Sequence, residues 1–156
     1  MIVMNKFEIE LANVKSELGN ELLRIDQSIL GLRRDYNRRI VKIMAEYNEK
    51  KNHLDTQHLD IKLKLNAMTD MKGRLALMNL MAENERNQRY YKESNAIKLK
   101  GEKGEMAVCI GELEIQKRRI RQDMELRMAE INERYFEWLE ARKQNSETPT
   151  TQNEQL

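Results

Sequence analysis

The sequence contains few of the residues that interrupt helices or cross-link chains. Among 156 residues there are one proline, six glycines and one cysteine, and aromatic residues make up only 5%. Runs of Val, Ile, Thr and aromatic residues between turn residues, which predict strands, are absent. One cysteine excludes an intrachain disulfide. No stretch approaches the roughly 20 apolar residues that a membrane-spanning helix needs.

The residues that are abundant favour helices. Charged residues make up 35% of the chain, and ten methionines accompany many Ala, Glu, Lys, Leu and Arg residues. This mixture is typical of long helices with a narrow apolar seam. The net charge is only +2, but residues 33–100 carry 16 basic and 9 acidic side chains, whereas both flanking segments are acidic. The middle of the chain is therefore basic and its ends are acidic.

Apolar residues recur mostly every three or four positions from Phe7 onward, which is the periodicity of a helix. Leu18, Tyr36 and Leu54 recur every 18 residues, close to five turns of an unstrained helix. A repeat near 3.6 residues requires little supercoiling. The pattern continues to Met68 without Pro or a strong break, which predicts a nearly straight helix of ~100 Å.

Two segments carry turn residues. In "TDMKGR", residues 69–74, Thr69 or Asp70 is suited to capping a helix, and Gly73 to a positive φ. The second segment, "GEKGE", has two glycines three residues apart. We therefore predict one all-helical coiled-coil domain over residues 1–144, with helices at about 5–70, 74–99 and 105–143. Residues 145–156 are predicted to be a disordered polar tail.

The predicted fold is all-α, either an elongated coiled-coil-like helical hairpin or a three-helix antiparallel arrangement. One thin seam of this length is rarely buried by a single hairpin, so we expect it to make a homo-oligomer or to contact a protein assembly partner. The predicted oligomerisation seam consists of the apolar side chains Leu18, Leu22, Ile25, Ile29, Leu32, Tyr36, Ile40, Ile43, Leu113, Ile120, Met124 and Ile131.

The segment "LALMNLMA", residues 75–82, is apolar except for Asn79. One interpretation is that it packs against the other helices. The alternative is a partner-binding surface, because Met-rich apolar stretches adapt to irregular partners. Its candidate contact residues are Leu75, Leu77, Met78, Leu80 and Met81.

Four arginines lie close together in "LRRDYNRRI", residues 32–40. At ~100° per residue, Arg33 and Arg39 flank the seam residue Tyr36, whereas Arg34 and Arg38 lie on the opposite face. The charges therefore encircle the helix, which favours solvated or interhelical charge over a DNA-reading face. Asp35 is spaced to pair with Arg39.

Nucleic-acid binding through phosphates stays open as an alternative, and its candidate residues are Arg33, Arg34, Arg38, Arg39, Lys117 and Arg118. Tyr90 and Tyr91 stand among basic residues as well. For these tyrosines we expect a structural or partner-contact role, with stacking on single strands as the alternative.

The sequence shows no arrangement that points to catalysis or to a cofactor. His53 and His58 are five residues apart, so a helix directs them ~140° apart, away from a shared metal. No nucleophile, base and orienting group can be nominated together. We expect no enzyme activity, no cofactor and no metal. We also expect Cys109 to be a small buried apolar residue.

The build resembles that of small helical accessory proteins of secretion systems, rotary-ATPase stalks and phage particles. The resemblance rests on length, charge and periodicity over the whole chain, and it implies a non-enzymatic structural role. "MIVMNKF" is too short for a secretory signal, so we expect a cytoplasmic protein.

Overall fold

A computed structural model describes residues 5–154, and it describes side chains for residues 5–145. These residues form two helices, α1 (Lys6–Ala67) and α2 (Met71–Glu154), which residues 68–70 connect. No strand occurs in this part of the chain. The predicted all-α class is confirmed.

The helices divide into two compact units. Unit 1 combines residues 1–29 with residues 111–156, and unit 2 consists of residues 30–110. Each unit pairs a segment of α1 with a segment of α2. The expectation of a single domain over residues 1–144 stays a prediction.

Reciprocal hydrogen bonds fix the start of α1. The Asn5 Oδ1 atom accepts from the backbone N–H of Glu8 at 2.8 Å, and the Glu8 Oε2 atom accepts from the backbone N–H of Asn5 at 3.2 Å. Each bond satisfies a backbone donor that has no partner within the helix. The predicted first helix, residues 5–70, therefore begins where its sequence supplies a cap.

Side-chain hydrogen bonds connect the turn to the start of α2 and to the end of α1. The carboxylate of Asp70 accepts from the Gly73 N–H at 3.3 Å and caps α2. The Arg74 guanidinium donates to the carbonyl oxygens of Leu65 and Met68, both at 2.9 Å, at the end of α1. Gly73 does not have the positive φ that its position suggested. A Cβ there would lie 2.7 Å from the Met68 sulfur, which belongs to a flexible side chain that can shift to make room.

The predicted break at "GEKGE" is wrong, because α2 runs through residues 101–105. Gly101 and Gly104 cost ~1 kcal/mol each relative to Ala within a helix, which packing contacts can offset. Leu99 and Met106 are half-buried on either side of this segment. The third helix of the three-helix alternative is therefore the continuation of α2.

Helix α2 also continues beyond its predicted end near residue 143, with a helical backbone to Glu154. Side chains after residue 145, and residues 155–156 altogether, lie outside the described part of the chain. The predicted disorder of residues 145–156 stays a prediction.

Unit 1 is an antiparallel helix pair. Near the start of α1, the Phe7 ring lies 5.2 Å from the Tyr135 ring, measured between centroids. Near the end of this α1 segment, Asp26 forms an ion pair with Lys117 at 2.5 Å. The buried apolar side chains are Leu18, Ile29 and Ile131.

Unit 2 is a helical hairpin closed by the 68–70 turn. Its buried apolar side chains are Leu54, Ile61 and Leu77. From residue 84 to residue 95, the side of α2 that faces α1 carries polar side chains instead, namely Asn84, Gln88, Tyr91 and Asn95. The middle of this hairpin therefore depends on hydrogen bonds as well as on apolar contact.

Asn84 is the most buried side chain described, with 2% of its surface exposed. Its amide nitrogen donates to the Leu54 carbonyl oxygen at 2.9 Å and to the Gln57 Oε1 atom at 3.0 Å. Its amide oxygen accepts from Gln88 Nε2 at 2.7 Å. Because a buried amide must be paired, this network favours one register between the helices.

Replacing Asn84→Asp should lower the free energy of unfolding by about 2–4 kcal/mol, because a buried carboxylate cannot donate to the two oxygens that Asn84 serves. Urea unfolding followed by circular dichroism measures the change. Asn87→Asp, at an exposed position of the same helix, is the control and should shift stability by less than about 0.5 kcal/mol. Equal effects of the two substitutions would contradict the role of the buried amide.

Candidate functional site

The predicted oligomerisation seam lies between the two helices of the same chain. Leu18, Ile29 and Ile131 are buried, and the others are half-buried: Leu22, Ile25, Leu32, Tyr36, Ile40, Ile43, Leu113, Ile120 and Met124. In a pair of helices, each seam side chain is covered by one neighbouring helix only. Part of its surface therefore stays accessible to solvent. The contact of this seam with another chain stays a prediction.

The structure divides the candidate partner-binding segment between two faces. Leu77 is buried and Met81 is half-buried, so these two belong to the seam. Leu75, Met78 and Leu80 are exposed, each with about half of its surface accessible. Only these three are available for a partner.

Helix α1 carries a second line of apolar side chains, which we call the outer stripe. In unit 2 its members are exposed and lie ~140° around the helix from the seam; they are Leu30, Val41, Leu59 and Leu63. Their spacings of 11, 18 and 4 residues all approximate whole helical turns. These side chains therefore lie along one side of α1, about 16, 27 and 6 Å apart along the helix axis.

Helix α2 has an outer stripe as well. In unit 2 it includes Tyr90, Ile97 and Val108, spaced by 7 and 11 residues and ~160° from the seam. Met71, Leu75 and Met78 form a further exposed apolar group at the start of the helix. Both helices of unit 2 thus have two apolar faces, of which the hairpin covers one.

In unit 1 the outer stripe consists of Ile9 and Leu23 on α1, and of Ile115 and Leu126 on α2. Leu126 is 64% exposed, whereas the seam residue Ile131 is 5% exposed. None of these residues is among the site residues predicted from the sequence, because they lie outside the single strongest apolar stripe. The 7- and 11-residue spacing of the remaining apolar side chains was the signal that could have found them.

The four arginines of residues 32–40 differ in whether they form an ion pair. Arg39 donates from Nε to Glu102 Oε2 at 2.6 Å, and this hydrogen bond and charge raise the pKa of Arg39 above its ordinary value despite the opposing effect of desolvation. Asp35, the predicted partner, contributes only through its nearby charge. Arg33, Arg34 and Arg38 are exposed and form no ion pair with a described residue.

The second group of candidate basic residues is also divided. Lys117 is largely buried and bonded to Asp26, so it serves the helix pair of unit 1. Arg118 is exposed. Of these two residues, only Arg118 is therefore available to a phosphate.

Tyr91 stands between grooves of about 480 and 530 Å³ in unit 2. The Lys50 ammonium lies 4.6 Å from the centroid of its ring, and the Tyr90 ring meets it edge-on at 5.4 Å. These contacts occupy Tyr91, whereas Tyr90 is 65% exposed. The tyrosines therefore combine a structural contact with one accessible ring.

Cys109 is exposed, so its predicted burial is wrong. The half-buried positions on either side of it are Met106 and Ile110. No group of three or more His, Cys, Asp or Glu side chains suited to a metal ion occurs in residues 5–145. Within the described helices, no segment combines the length and apolarity that crossing a membrane requires.

No protein-family model, curated protein or solved structure matches this chain. The interaction surfaces are therefore assigned from the geometry and chemistry of the molecule.

Proposed function

We propose that this chain is a non-enzymatic coiled-coil structural protein that self-associates or braces a larger assembly of the secretion, stalk or phage-particle type. The observation that carries the proposal is the pair of apolar faces on each helix. One face packs against the other helix of the same chain. The other face is exposed and can bind a helix from outside the chain. We assign the protein to the cytoplasm and give it no catalytic step.

Apolar contact supplies the driving force for this assembly. Fully burying one large aliphatic side chain contributes about 1.5–3 kcal/mol. Each member of the outer stripe in unit 2 exposes about half or more of its surface. Covering several of them along one helix therefore yields a substantial gain, and the matched spacing suits a straight helical partner.

The stripe can be removed without touching the seam. Ile97→Gln combined with Val108→Gln should lower the mass of the assembled protein below that of the wild type, because these exposed side chains supply apolar contact to a partner helix. Light scattering after size-exclusion chromatography measures this mass, and circular dichroism should show unchanged helicity.

The matched control combines Ala96→Gln with Ala107→Gln, at exposed neighbouring positions ~80–100° away from the stripe. It should retain the wild-type mass. A wild-type protein that remains a single chain, and that captures no assembly partner at micromolar concentration, would contradict the proposal.

A second candidate function is nonspecific nucleic-acid binding through phosphates. The exposed, unpaired state of Arg33, Arg34 and Arg38 favours it. Duplex or single-stranded DNA should then be retained at about 50 mM salt and released steeply as salt rises. Replacement of these three residues and Arg39 by Gln should abolish retention. No retention by the wild type at low salt would exclude this function.

A further inference from the structure

Two of the unpaired arginines lie on the same face of α1 as the outer-stripe residues Leu30 and Val41. Measured around the helix from Val41, Leu30 lies ~20° away, Arg34 ~20° and Arg38 ~60°. All four side chains are exposed. A partner that covers Leu30 and Val41 therefore covers two cations too, and it must supply anions, because an unpaired buried charge is costly.

The outer face of α2 in unit 1 supplies such anions. Around the helix from Leu126, Glu130 lies ~40° away and Glu133 ~20°. Both glutamates are exposed, and neither forms an ion pair with a residue in the described range. This face thus combines an apolar side chain with two unpaired carboxylates.

The spacing on the two faces is complementary when the helices run antiparallel. Arg38 and Arg34 precede Val41 by 3 and 7 residues, and Glu130 and Glu133 follow Leu126 by 4 and 7 residues. Placing Val41 against Leu126 therefore brings Arg38 opposite Glu130 and Arg34 opposite Glu133. In each pair the two side chains lie at nearly the same height along the helix axes, because their distances from Val41 and from Leu126 differ by at most one residue.

The charges of the whole units agree with this pairing. Unit 2 carries 17 basic and 11 acidic side chains, a net charge of +6. Unit 1 carries 11 basic and 15 acidic side chains, a net charge of −4. Complementary fields of this kind favour the encounter of unlike units and oppose that of like units.

We infer that the part of the α1 outer stripe around Val41, in unit 2, is covered by a second copy of this chain, which contributes the acidic outer face of α2 in its unit 1. The inference rests on the proposed self-association and deepens it. The two surfaces differ, so the interface is heterologous. Each copy in a pair keeps one unused surface, and the contact extends into rows or rings of copies.

The apolar side chains decide between a second copy and a nucleic acid. Leu30 and Val41 flank the two arginines on the same face. A phosphate backbone would pair with the arginines but would leave both aliphatic side chains without apolar contact. A second copy gives Val41 the apolar contact of Leu126 and pairs both arginines with the neighbouring glutamates.

Charge reversal in two variants tests this interface. The first variant combines Arg34→Glu with Arg38→Glu, and the second combines Glu130→Arg with Glu133→Arg. Each variant alone should self-associate at least about tenfold more weakly than the wild type, because like charges then face each other. An equimolar mixture, and the chain carrying all four substitutions, should recover association. Sedimentation equilibrium measures each dissociation constant.

The control variants reverse exposed charges beside these faces, Arg33→Glu and Glu125→Arg, and should associate as the wild type does. Circular dichroism verifies that every variant keeps its helicity, and Arg→Gln with Glu→Gln variants replace any that does not.

The outcomes separate the two proposals. A wild type that stays a single chain overturns self-association itself. A self-associating wild type whose charge-reversed variants keep its affinity, or whose mixture does not recover, overturns only this interface. Loss of DNA retention with the arginine variant, together with unchanged association of both variants, assigns the arginines to nucleic acid and overturns the inference.

Discussion

The main constraint on this protein is that two paired helices bury one face of each, whereas these helices have two apolar faces. The seam between α1 and α2 holds the few fully buried side chains, such as Leu18 in unit 1 and Ile61 in unit 2. The outer stripes receive no cover from the pairing. This difference accounts for the half-buried seam and for the exposed aliphatic side chains, and it is the basis for proposing a partner.

Polar contacts select the arrangement that apolar contact alone would leave loosely specified. The Asn84 amide links α2 to the Leu54 carbonyl oxygen in unit 2, and the pair of Asp26 with Lys117 fastens unit 1. Arg39 is held by Glu102 within the hairpin, whereas Arg34 and Arg38 are left for other contacts. The same sequence segment therefore supplies both internal bonding and an external surface.

The sequence predicts the helical class and α1 closely, because apolar periodicity and caps are local signals. Its prediction of a break at Gly101 and Gly104 fails, since flanking packing outweighs helix propensity at two positions. Asn84 could not be recognised, because its two partners on α1 lie about 30 residues away in the sequence. The spacing of Ile97 and Val108 indicates the outer stripe in the sequence, but only once the residues of the seam have been assigned.

The central claim is that the outer stripes are exposed in one chain and covered in the assembly. Hydroxyl-radical footprinting of the unmodified protein at increasing concentration measures this directly, with Leu30, Tyr90 and Leu126 as reporters. The account predicts that oxidation of stripe side chains falls as concentration rises, while the buried Ile131 stays protected throughout. Stripe oxidation that is rapid and independent of concentration would contradict it.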